Sequence, residues 1–146
     1  MAAEKTMIQE MLLEVGSIPI ILLKSYEIEA FVMGHHVYKE RWTPTIGEHL
    51  DALMEPNNSM DKYAVATFQK GKKQVIGHLP LGKSGKFAKT VFYFLKANKD
   101  NKCQVEIVSN VVNQNDGLGM KVPSRIIFTA EEKYLKILRK ELPELL

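Results

Sequence analysis

Glu55-Pro56-Asn57-Asn58-Ser59-Met60-Asp61-Lys62-Tyr63-Ala64-Val65, followed by Val75-Ile76-Gly77-His78-Leu79-Pro80, is the stretch on which the reading of this chain turns. Its first half is turn chemistry. Proline presets φ, and asparagine tolerates left-handed backbone while offering a short side chain to nearby amides. Apolar and β-branched residues then take over. Residues 63–69 read as a strand, Lys70-Gly71-Lys72-Lys73 as a hairpin turn, and residues 74–79 as the returning strand. Strands joined by so short a connection pair antiparallel.

Further strands flank this unit. Residues 27–33 alternate, with Ile28, Ala30 and Val32 to one side and Glu27, Glu29, Phe31 and Met33 to the other. Residues 18–23 read as a short apolar strand, 49–54 as a strand with Leu50, Ala52 and Met54 on one face, and 103–112 as another. Residues 120–129 read as a strand broken at Pro123 and resumed with Ile126, Ile127 and Phe128. Residues 35–47 form a long connection carrying His35, His36, Tyr38 and Trp42.

Three helices are expected. Met7, Ile8, Met11, Leu12 and Val15 share one face of a 3.6-residue period, with Gly16 placed as a C-cap. Residues 87–95 predict an internal helix. Thr129-Ala130-Glu131-Glu132 has capping-box spacing, and Tyr134, Leu135, Leu138 and Leu142 follow at helical intervals. Many short strands with one internal helix predict a mainly β fold with α: a small, partly open β-barrel flanked by N- and C-terminal helices. The expected division is residues 1–17 as a helical extension, 18–130 as the barrel and 131–146 as the last helix.

Composition agrees with one globular domain. The 146 residues are 45% hydrophobic and 25% charged, enough to bury a core without metals or disulfides. The single cysteine, Cys103, excludes an internal bridge and points to a reducing, intracellular compartment. The longest apolar run, residues 18–23, contains Pro19 and is far too short to span a bilayer, and nothing around Glu4 and Lys5 reads as a secretory leader. The net charge of +3 hides an asymmetry. Residues 1–61 carry ten acidic and four basic side chains, whereas residues 62–102 carry ten lysines against Asp100 alone. If those lysines share a face, they attract an anionic partner; a lysine-rich solvated surface is the plainer alternative.

Two patterns invite catalytic readings. Gly77-His78-Leu79-Pro80-Leu81-Gly82-Lys83-Ser84 matches the phosphate-loop pattern, in which Lys83 would counter phosphate charge. Its setting is wrong, because a phosphate loop belongs to a parallel sheet of βαβ units and this region reads as hairpins. The histidines, His35, His36, His49 and His78, lack metal-ligand spacing, so neither a metal nor another cofactor is expected. No nucleophile–base grouping emerges from spacing, and no enzymatic activity is expected.

The opening stretch, together with Val32-Met33-Gly34-His35-His36-Val37-Tyr38 upstream, resembles the HIRAN domain family over roughly residues 26–130. The resemblance implies a small β-barrel related to single-strand-binding barrels, and recognition of the 3′-hydroxyl end of single-stranded DNA. It implies that Asp61 accepts the terminal hydroxyl. A carboxylate can accept from an OH and repels a phosphate. By the same resemblance Asn58 orients the site, Tyr38 offers a face for base stacking, and His78 faces a backbone phosphate. Lys83, Lys86 and Lys89 would supply further phosphate-binding cations.

The chain also departs from that family's pattern. His36 stands where the family has a stronger base, and Val37 replaces the first of two tyrosines. Met60 replaces an aromatic before the aspartate, and a later stacking aromatic is replaced near Met120. Trp42, in the 35–47 connection, is the candidate to compensate. The expectation is thus a non-catalytic DNA-binding module, nuclear, engaged in DNA repair, working with a helicase or ATPase module in a larger protein or complex. A protein-interaction or structural module on the same barrel is the second reading, and nucleotide binding through residues 77–84 a distant third.

Overall fold

The computed structural model describes residues 21–34, 38, 40–110 and 121–146. Six strands form the body: β1 (Lys24–Met33), β2 (His49–Met54), β3 (Val65–Gln69), β4 (Val75–His78), β5 (Lys102–Ile107) and β6 (Lys121–Ala130). Helix α1 (Lys86–Ala97) lies between β4 and β5, and α2 (Glu132–Glu141) follows β6. The strands are ordered β1-β4-β3-β2-β5-β6, and β6 pairs back onto β1, so the barrel is closed. Every pairing is antiparallel. The expected barrel is therefore present but closed rather than partly open.

Closure is uneven. β1 and β6 run together over ten residue pairs, from Lys24 opposite Ala130 to Met33 opposite Lys121. β1 and β4 meet at one pair, Met33 opposite His78. Their approach depends on Gly77, because a Cβ there would lie 2.4 Å from Val32 Cγ1 and 3.0 Å from the Met33 carbonyl. Beside this narrow seam a groove opens.

Side-chain alternation fills the barrel. Val122, Ser124, Ile126, Phe128 and Ala130 of β6 are buried, as are Ala30 and Val32 of β1 and Leu50 and Ala52 of β2. Ser124 is tolerated inside because its hydroxyl donates to the Val122 carbonyl at 2.7 Å. α1 adds Phe87, Val91, Phe92 and Phe94 to the same core, with Phe94 edge-on to Phe128 at 5.5 Å between centroids. α2 contributes Leu135 and Leu138, so the C-terminal helix belongs to the barrel's own core.

Four local expectations are corrected. Pro123 does not break β6, which runs through it. The Pro123 carbonyl accepts from the Val108 amide at 3.1 Å, so its missing N–H falls on the β5 side, just past Ile107 where that strand ends. Thr129 is not a cap: it is still in β6, opposite Ser25 and Lys102, and Glu131 takes the N-cap position without a side-chain hydrogen bond. Residues 21–23 are not strand, and β1 starts at Lys24. Trp42 is in the core, 3% exposed, with its indole N–H donating to Glu48 at 3.0 Å. The expected helix at residues 3–15 lies outside the described residues. Among the described residues, no helix is long and apolar enough to cross a membrane.

Candidate functional site

The groove beside the β1–β4 seam has a volume of about 790 Å³. One wall is the end of β1, with Phe31, Met33 and Gly34, and the start of β6 at Lys121. The other is formed by the 55–64 loop, with Asn58, Met60 and Asp61, and by the chain leaving β4 from His78 to Lys83. Five residues singled out from sequence thus converge here: Asn58, Met60, Asp61, His78 and Lys83.

Local hydrogen bonding explains why the loop holds its shape. The Glu55 amide donates to the Ala64 carbonyl at 2.9 Å and closes the loop at its base. Asn58 Oδ1 accepts from the amides of Met60 at 2.9 Å and Asp61 at 3.1 Å, an Asx turn that only a short side-chain acceptor can make. Asp61 Oδ1 accepts from the Tyr63 amide at 2.9 Å. The Asp61 carboxylate is half-buried and lines the groove, with only Oδ1 engaged among the described residues.

Beneath the turn is a partner not singled out from sequence. Glu55 Oε1 accepts from Asn58 Nδ2 at 2.7 Å and lies 2.8 Å from His78 Nε2. One carboxylate oxygen therefore ties the loop to β4. Burial pushes the Glu55 carboxyl up, but the hydrogen bonds from His78 and Asn58 and the charge of His78 outweigh it, leaving the group below the usual carboxylate range. With Nε2 donating to Glu55, the other imidazole nitrogen is left for a further partner.

Tyr38 stands next to this network. It is half-buried, its ring tilted against that of His78 at 6.1 Å, and the Arg41 guanidinium lies 5.4 Å from its centroid. Arg41 also donates to the Val75 carbonyl at 3.1 Å, which fixes it over Tyr38. Arg41 was missed in the sequence because an arginine in an irregular connection carries no periodic signal. Phe31 and Lys121 were missed too: the Lys121 ammonium lies 5.5 Å from the Phe31 ring, and both line the groove. The alternation of β1 puts Phe31 on the face of Glu27, Glu29 and Met33, but its neighbour across the sheet is not readable from sequence.

The remaining candidates divide. Lys86 and Lys89 are on α1 and face a different groove, between α1 and α2. Trp42, buried in the core, has no face on which a base can stack. His36 and Met120 lie outside the described residues. The phosphate-loop reading fails on geometry. The sheet is antiparallel throughout, and the Lys83 amide, which such a loop would offer to phosphate, donates to the Leu145 carbonyl at 2.6 Å. Gly82, with φ of 71°, is pinned at the same place, since a Cβ there would lie 2.4 Å from the Leu145 carbonyl oxygen. Among the described residues no cluster of His, Cys, Asp or Glu is arranged to hold a metal ion.

What the groove combines is a carboxylate with an unengaged oxygen, a lysine on each wall, an imidazole and exposed apolar surface. Such groups are suited to binding and orienting a ligand. Solved structures share this architecture. The crystal structure of the HIRAN domain of human HLTF superposes with a TM-score of 0.57 at 20% identity, covering 81% of this chain and 87% of that one. The chain has the HIRAN fold. The solution structure of the HLTF HIRAN domain in its DNA-bound conformation matches this HIRAN fold equally, with a TM-score of 0.57 at 21% identity over 85% of this chain and 90% of that one. No protein-family model matches the sequence, and no curated protein does.

Proposed function

We propose that this chain is a DNA-binding module that takes the free 3′-hydroxyl end of a single strand into the groove beside the β1–β4 seam, without catalysis of its own. The observation that carries the reading is the Asp61 carboxylate, held at the groove by the Asn58 turn and flanked by Lys83. A fixed carboxylate acceptor among cations suits a ligand that is anionic along its length but ends in a hydroxyl. In this reading Asp61 accepts the terminal OH, while Lys83 and Lys121 counter the nearest phosphates. His78, oriented by Glu55, faces a backbone phosphate, to which Nδ1 donates in the imidazolium form. Tyr38 or Phe31 gives a base its stacking surface. The DNA-bound form of an HLTF HIRAN domain with this fold supports the reading.

Because the module moves no bond, a motor such as a helicase or ATPase acts on the strand from elsewhere in a larger protein or complex, and DNA repair in the nucleus is the setting this implies. Fluorescence anisotropy with labelled oligonucleotides differing only at the 3′ end tests the reading. The 3′-hydroxyl form binds tighter than the 3′-phosphate form, and affinity falls steeply with salt. Equal affinity for the two ends would sink end recognition. Absence of binding at low salt would favour a protein-interaction module instead.

A further inference from the structure

Two residues beyond Asp61 the chain carries a second surface that the end-binding groove does not use. The Tyr63 ring, whose backbone amide donates to Asp61, packs edge-on to Phe92 at 5.6 Å and against Tyr93 of α1 at 5.6 Å with a 42° tilt. The Lys62 ammonium lies 5.1 Å from the Tyr63 centroid and the Lys89 ammonium 4.8 Å. Tyr93 is 46% exposed although it is a large aromatic ring. Along α1, Lys86, Lys89, Tyr93 and Lys96 follow at spacings that keep them on one exposed stripe.

The lysines of this surface are unpaired, although Glu141 and Glu144 line the α1–α2 groove beside Lys86, Lys89 and Tyr93. No acidic residue occurs between Asp61 and Asp100, and Lys62, Lys86, Lys89 and Lys96 form no ion pair among the described residues. Lysines that merely solvate a surface are usually interspersed with acids. Here cations alternate with aromatic rings, the combination that tracks a sugar–phosphate backbone while bases stack. The two surfaces are linked along the chain: Asp61 and Tyr63 share a turn, and Ala88, which lines the end-binding groove, precedes Lys89, which lines the groove between α1 and α2.

We infer that the Tyr63–Tyr93 surface, with Lys62 and Lys89, is a second single-strand contact on which the nucleotides 5′ of the bound end run out along α1. The inference rests on the end-binding reading and adds a direction and a length to it. A base stacks on Tyr93, and Lys62 and Lys89 hold the phosphates on either side. Tyr63 positions the lysines and is itself braced by Phe92.

Paired oligonucleotides sharing one 3′ sequence, a short one of about four nucleotides and a longer one of about twelve, separate the two contacts, since single-strand sites span roughly 4–16 nucleotides. In anisotropy titrations the longer strand binds tighter to the unaltered protein. Tyr93→Ala lowers affinity for the longer strand by roughly 5-fold or more and leaves the short one unchanged, while Tyr93→Phe restores the loss. Lys62→Ala with Lys89→Ala lowers the salt slope for the longer strand by about 0.7 per lysine. If Tyr93→Ala leaves the gain with length intact, or weakens both strands equally, the second contact is wrong even where end recognition holds. If the short strand shows no preference for a 3′-hydroxyl, the failure lies instead in the end-binding reading.

Discussion

Replacing Asp61 by Asn isolates the charge of the carboxylate from its place in the turn. The Asn side chain keeps an Oδ1 acceptor for the Tyr63 amide, now at 2.9 Å, and the Asx turn made by Asn58 is untouched. Stability should therefore change by less than about 0.5 kcal/mol, whereas Asp61→Ala removes that acceptor and costs about 1 kcal/mol. Binding responds differently. A hydrogen bond to a charged group contributes about 1.5–3 kcal/mol and a neutral one about 0.5–1.5. Asp61→Asn thus weakens the 3′-hydroxyl strand by about 1–1.5 kcal/mol, roughly 5- to 13-fold. The 3′-phosphate strand should gain. A carboxylate and a phosphate charge about 4 Å apart repel by about 1 kcal/mol in water and about 4 kcal/mol at a surface-like dielectric constant of about 20. The half-buried Asp61 falls between those limits. The two strands therefore converge in affinity for Asp61→Asn, as read by anisotropy beside a urea melt that reports stability. If the variant melts like the parent and still prefers the hydroxyl end, Asp61 is a turn-former and nothing more.

Three further outcomes test the surroundings. Glu55 has a lower pKa folded than unfolded, so its stabilising contribution is complete above the unfolded value of about 4.3 and is lost as pH falls through the depressed folded value; melting temperatures of parent and Glu55→Gln should differ at pH 6–7, roughly neutral conditions, and converge at acid pH, and a constant gap would contradict the Glu55 linkage. Thr67 is fully buried with no hydrogen-bond partner for Oγ1 among the described residues, so Thr67→Val should raise stability by about 1 kcal/mol in urea titration. Gly82→Ala forces a side chain into left-handed backbone and against the Leu145 carbonyl, and should destabilise by at least about 1–3 kcal/mol by the same measurement; an unchanged midpoint would remove the reason given for a glycine there.

Local chemistry made much of the barrel legible in the sequence. β2 occupies the residues expected, and β1, β3 and β4 differ at their ends only. Their alternation or turn boundaries were strong. The errors fell where a distant partner decides. Pro123 reads as a break until the end of β5 is seen beside it, and Thr129 reads as a cap until its pairing with Ser25 and Lys102 holds it in the strand. The site shows the same division. The turn at Asn58 and Asp61 was readable because its hydrogen bonds close within three residues, whereas their candidacy as site residues came from the family resemblance. Glu55 and His78 are 23 residues apart in sequence, and nothing local announces that pairing. Trp42 was misplaced because aromatic character alone does not separate a stacking platform from a core residue whose indole has found Glu48.

The position of the groove follows from how this barrel closes. Where β1 and β6 run side by side for ten pairs, backbone groups are consumed by the ladder and side chains stand close, leaving no room for a ligand. Where β1 meets β4 at Met33 and His78 alone, the ladder consumes few backbone groups, and residues of both chains, Phe31, Met33 and Gly34 on one side and His78 to Lys83 on the other, line the groove. The 55–64 loop lines that groove as well, and its only side-chain tie to β4 runs through Glu55, among the hydrogen bonds of the described residues. Glu55 thus ties the 55–64 loop to β4, while Asp61 and Lys83 both line the groove. A seam zipped as fully as the one opposite would make a more regular barrel and would close the space in which a strand end can sit.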